Sequence, residues 1–168
     1  MNSLITAHII RFVLLVLFQG ILFNHINFLG YINPYIYILF IIFFPVKNNR
    51  LAFIFISFLL GLTIDMFADS GGIHAAASVT IAYVRPVFLK FAFGSMYEHQ
   101  NIKFDNTDFS AKVVYIGILT ILHHIILFSL EIFNISNILS ILQKTLFSGI
   151  FTILMIVLLS IIFSRKTK

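Results

Sequence analysis

The chain has 168 residues, of which 60% are apolar and 10% charged, against roughly 45–50% and about 25% in soluble domains. That balance excludes a water-soluble globule, and it excludes intrinsic disorder, which needs low hydrophobicity and high net charge. The formal charge of +5 therefore bears on orientation in a membrane before it bears on nucleic acid. With no cysteine, disulfide and thiolate chemistry are excluded too.

Six apolar segments follow in chain order, at 9–28, 31–46, 51–67, 73–91, 112–133 and 138–163. A crossing takes about 20 residues. The runs are continuous and lack the apolar/polar alternation of a barrel strand, so helices are expected. The expected fold is an all-α integral membrane protein, one polytopic domain over 1–168 with about six transmembrane helices. The run after Arg11 shows no small-x-small cleavage pattern and reads as a retained helix. Turn chemistry marks the breaks: 30–34, where Pro34 suits an early helical position, 45–50, and the glycine pair Gly71-Gly72. The stretch 92–111 is the longest polar one. With Lys47 and Arg50 in the second break, its Tyr97, Lys103 and Phe104 are candidate contacts for cytoplasmic partners.

Ten of the eleven Lys and Arg residues fall on one side of this layout, and only Lys144 falls on the other. The positive-inside rule then places both termini in the cytoplasm. Arg85 and Lys90 lie within the fourth segment, where they either snorkel or follow a helix end near Pro86 onto the surface.

Polar groups inside a bilayer are expensive and call for an explanation. At 1.5 Å per residue, Asp65 lies roughly 21 Å and His124 roughly 18 Å from the cytoplasmic side. Matched depth predicts a buried polar layer of Gln19, Asp65, His124, Thr145 and Ser148, with Asp65 near His124 or Thr145. The plainer expectation is an Asp65 that is protonated or hydrogen-bonded between helices. Gly61, Ala75, Ser78, Ala82 and Gly149 are candidate positions for close helix packing. Tyr31, Tyr35 and Tyr37 read as an interfacial aromatic belt.

Catalytic constellations are missing from the sequence. It holds no H-E-x-x-H, no G-x-S-x-G and no glycine-rich phosphate loop, so no catalytic, cofactor or metal residues are assigned. The spread of basic residues suits anionic headgroups better than a nucleic-acid groove.

The run from Phe12 to Gln19, Asn33-Pro34-Tyr35, Gly61-Leu62-Thr63-Ile64-Asp65 and Gly72-Ile73-His74-Ala75 together resemble the rod-shape-determining protein MreD family, in a Bacteroidetes-like form. The similarity spans nearly the whole chain. It implies a non-enzymatic scaffold of the cell-wall elongation complex in the bacterial inner membrane. Its layout would be similar to that of substrate-binding subunits of energy-coupling-factor transporters. The partners it implies are MreC, the actin-like MreB, and the elongation glycosyltransferase and transpeptidase. The alternative is a small-solute-binding or transporter subunit, with Asp65 and His124 lining its cavity.

Overall fold

The computed structural model describes residues 2–30, 32–46, 49–98, 102 and 104–163. Among them it is all-helical, with α1 Asn2–Leu17, α2 Ile38–Ile42, α3 Arg50–Ala68, α4 Ile73–Phe93, α5 Ser95–Glu98, α6 Phe109–Ile132 and α7 Ile138–Ile162. Among the described residues, five helical stretches are long and apolar enough to cross a membrane: Thr6–His25, α3, α4, α6 and α7. α3 packs on α4, α4 on α6 and α6 on α7. Large apolar side chains such as Met66, Val87, Leu139 and Phe163 remain exposed on the outside, as expected of surfaces that meet lipid rather than water.

The boundaries follow local chemistry. Asn49 caps α3 by accepting from the backbone N–H groups of Leu51 and Ala52. Asp108 caps α6 by accepting from Ala111 N–H at 3.1 Å. Hydrogen bonds from the Ser110 hydroxyl and from Ala111 hold the Asp108 carboxyl below its usual range, because they favour the charged form. Three helices meet their reversals in left-handed backbone conformations, at Asp69 after α3, Gly72 before α4 and Phe133 after α6.

The second apolar segment departs from expectation. It is not a membrane-length helix; among its described residues only the five of Ile38–Ile42 are α-helical. The segment is short, at 16 residues against the 17–25 of ordinary spans. Pro34 biases the residue before it to an extended backbone, and Pro45 does the same to Phe44. Its Ile, Tyr and Phe residues are indifferent helix formers. The reversal before it is fixed by paired backbone bonds between Phe28 and Ile32, both 2.9 Å, and by the amides of Asn27 and Asn33. From there the chain runs through the middle of the bundle, burying Ile36, Tyr37, Ile38, Ile41 and Ile42 in the main core.

Two further expectations are corrected. Tyr37 is fully buried, and Tyr35 packs against core rings that include His74, His124 and Phe128, so neither belongs to an interfacial belt; Tyr31 lies outside the described residues. Arg85 neither snorkels nor leaves the helix: α4 continues through Pro86, and Arg85 is 3% exposed. Of the candidate partner contacts, Phe104 turns inward onto Phe43, Phe93 and Tyr115, and Tyr97 packs partly on the core. Arg50 is exposed, with its guanidinium over the Tyr83 ring. Lys47 and Lys103 lie outside the described residues.

The packing candidates divide. Ala75, Ser78 and Ala82 are buried on α4, and Gly61 is where α3 approaches it most closely. A Cβ at Gly61 would lie 2.5 Å from both Ala75 Cα and the His74 carbonyl oxygen. Gly149 is buried, yet a Cβ there meets nothing within 4 Å, so close approach does not require that glycine. Gly61→Ala is therefore expected to lower stability by about 1–3 kcal/mol through overpacking. Gly149→Ala should be neutral or gain about 0.5–1 kcal/mol from reduced chain entropy in a helix. Unfolding midpoints of both variants in detergent check this; equal midpoints would remove the close-approach role of Gly61.

Candidate functional site

A buried non-helical backbone leaves polar groups that must find partners, and the polar side chains of this bundle supply them. The first span loosens at Phe18–Leu22 into a turn of π-helix, a feature that re-aims side chains within a helix. Gln19 sits in this turn, fully buried, with Gly20 so close to Phe67 that a Cβ would lie 2.7 Å from its ring. The Gln19 amide donates to the Pro34 carbonyl at 3.1 Å and accepts from Tyr37 N–H at 3.4 Å. Thr152 on α7 accepts from Tyr35 N–H at 3.0 Å. Farther along, Arg85 donates to the carbonyls of Ile42 and Phe44. Its Nε donates to Tyr115 Oη at 2.9 Å, and Tyr115 donates to Ile42 at 3.0 Å. Arg85 also lies over the Phe53 ring.

These contacts give the second segment a direction. Tyr37 bonds near the start of α4 through His74, and Ile42 bonds near Arg85. The two α4 residues are eleven apart, so the segment runs alongside about 16 Å of the α4 axis.

Above Tyr37 lies a cluster of rings. Tyr37 Oη is 2.7 Å from His123 Nε2 and 3.0 Å from His74 Nδ1. His123 Nδ1 is buried without a partner. An orphaned N–H costs more than an orphaned lone pair, which assigns the proton of His123 to Nε2. His123 then donates to Tyr37 Oη, and Tyr37 donates to His74 Nδ1. The His74 proton is left on Nε2, which makes no hydrogen bond among the described residues. His124 Nδ1 donates to the Thr120 carbonyl at 2.8 Å. Its Nε2 faces the Thr152 hydroxyl at 3.2 Å.

Asp65 belongs elsewhere, and the expectation that it meets His124 or Thr145 is corrected. Its carboxylate accepts from the Ser70 hydroxyl at 2.6 Å, His74 N–H at 3.0 Å and Ala75 N–H at 2.9 Å. Gly72 precedes α4 and offers no side chain, so Asp65 caps α4 from the neighbouring helix. This is the hydrogen-bonded alternative, and a carboxylate suits the positive end of the helix. Thr145 and Ser148 are buried, but their hydroxyls have no partner among the described residues. Gln19 and His124 thus form parts of the polar interior, Asp65 is a joint, and Thr145 and Ser148 are separate from both. Sequence reasoning missed the central positions of Tyr37, His74, His123 and Arg85.

The cluster opens into a cleft of about 540 Å³ between the α3–α4 turn and the end of α6, with Tyr35, His74, Asp69 and Glu131 among its walls. Glu131 is paired to Lys144 of α7 at 2.7 Å. Among the described residues no group of three or more His, Asp or Glu side chains is arranged to hold a metal ion.

Asp65→Ala should lower stability by about 1–3 kcal/mol, the cost of stranding the two buried N–H groups of α4. Asp65→Asn should cost less, since its amide oxygen still accepts one of them. Chemical unfolding of the purified protein measures both, and an Ala variant as stable as the parent would dismiss the capping role. No family model, curated protein or solved structure gives a significant match to this chain.

Proposed function

We propose that the chain is a membrane scaffold of the MreD kind, organising the cell-wall elongation complex and so contributing to rod shape and peptidoglycan synthesis. The observation that carries this reading is the structural work of the residues behind the resemblance. Gly61 and Asp65 make the α3–α4 joint, and Asn33 and Pro34 set up the buried second segment. The first span is the least covered of the five, with Ile9, Val13, Leu17 and Ile21 exposed. That suits the docking of a partner's membrane helix, which in this family is the anchor of MreC.

On this reading the second segment counts as a sixth crossing. Irregular backbone is tolerated at membrane depth when protein surrounds it, and this segment is enclosed by α4, α6 and the first span. An even number of crossings puts both termini in the cytoplasm of a bacterial inner membrane. It also puts the cleft and Lys144 on the outer side. Reporter fusions at the two ends should therefore both report cytoplasm; ends in opposite compartments would refute the arrangement.

A second reading, a small-solute-binding subunit, is favoured by the cleft itself. Depletion in the native cell separates the two. A scaffold predicts rounded, widened cells and co-purification with MreC, whereas a transporter subunit predicts normal shape and failed uptake of one nutrient.

A further inference from the structure

We propose that the cleft at the α3–α4 turn binds a small organic ammonium that also carries an acceptor oxygen, as an amino alcohol does. The inference rests on the solute-binding reading of the cleft and is independent of the scaffold role.

Charge is the first argument. The described lining carries two carboxylates, Asp69 and Glu131, and no Lys or Arg; Lys144, outside the lining, pairs with Glu131, in a chain whose net charge is +5. An anionic ligand would meet repulsion there, and a cation would meet attraction. The second argument is that the protein already holds an ammonium against one of these carboxylates, beside the cleft. Lys144 Nζ lies 2.7 Å from the Glu131 carboxylate and 5.6 Å from the centre of the Phe128 ring, a carboxylate and an aromatic face together. The cleft also holds the Tyr35 ring and a second carboxylate without a cation: the Asp69 side chain makes no hydrogen bond or ion pair among the described residues.

The acceptor oxygen follows from His74. This side chain is 4% exposed and lines the cleft, and its Nδ1 is taken by Tyr37. Its Nε2–H is then a donor with no protein partner among the described residues, on a side chain that lines the cleft. A ligand hydroxyl or carbonyl oxygen beside the ammonium would satisfy it.

The test uses the full chain in nanodiscs of phosphatidylglycerol, which has no amine headgroup, titrated calorimetrically with ethanolamine, ethylamine, glucose and succinate. Ethanolamine should bind and raise the unfolding midpoint with concentration. Ethylamine, lacking the oxygen, should bind about tenfold more weakly, and glucose and succinate should not bind. Asp69→Asn, an exposed position where Asn also tolerates the left-handed backbone, should weaken ethanolamine at least about tenfold. Repeating the titration in phosphatidylethanolamine nanodiscs identifies the source. A lost signal means that the lipid headgroup fills the cleft, and a retained one means a free solute; both support the ammonium chemistry. Binding of glucose or succinate without the amines overturns this inference but leaves a solute site. No binding by any of the four in phosphatidylglycerol overturns both.

Discussion

A stretch of chain that is helical over only the five residues Ile38–Ile42 runs through the apolar middle of this protein, and its remaining peptide groups must be hydrogen-bonded there. Leaving one unmatched away from water costs several kcal/mol. Gln19, Thr152, Arg85 and Tyr115 perform that duty for residues 34–44, each from a different element. Their positions are thereby fixed together. Moving the first span would strand Pro34, and moving α4 would strand Phe44. A buried arginine is expensive by itself. Here its charge is spread over two carbonyls, a phenol and an aromatic face, which is the planar, many-donor recognition that lysine cannot reproduce.

The same constraint shapes the end of the bundle that carries the cleft. Because the second segment enters beside α4 and α6, Tyr35 and Tyr37 come down among His74, His123 and His124 rather than onto lipid. Tyr37 bridges two histidines, and Tyr35 becomes a wall between that cluster and open space. A continuous helix over 31–46 would have bonded its own backbone and left these polar groups without purpose. The cleft is thus a by-product of a short, proline-bounded segment that cannot fill the volume of a full span.

The α3–α4 joint shows how few residues decide a helix pair. Gly61 lets the two backbones touch, and Asp65, one turn on, reaches across to the first N–H groups of α4. The spacing of four puts both on one face. Replacing either changes the fit of the two helices that the rest of the bundle leans on.

Composition and hydropathy sufficed for the membrane class, the five long spans and their ends to within a few residues, because about 20 apolar residues in a row have one low-energy solution in lipid. They also marked Gly61, Ala75, Ser78 and Ala82 as packing residues and Gln19, Asp65 and His124 as buried, since small or polar residues in such runs need a reason. The shortness of 31–46 and its two prolines were legible signs of an interrupted span, outweighed by its unbroken apolarity. What only the tertiary structure decided is which groups meet. Depth along a helix fixes one coordinate of a side chain and leaves rotation and neighbour unknown. Asp65 therefore found an adjacent helix terminus rather than His124, Tyr37 found two histidines, and Arg85 found the carbonyls of a segment 41 to 43 residues away.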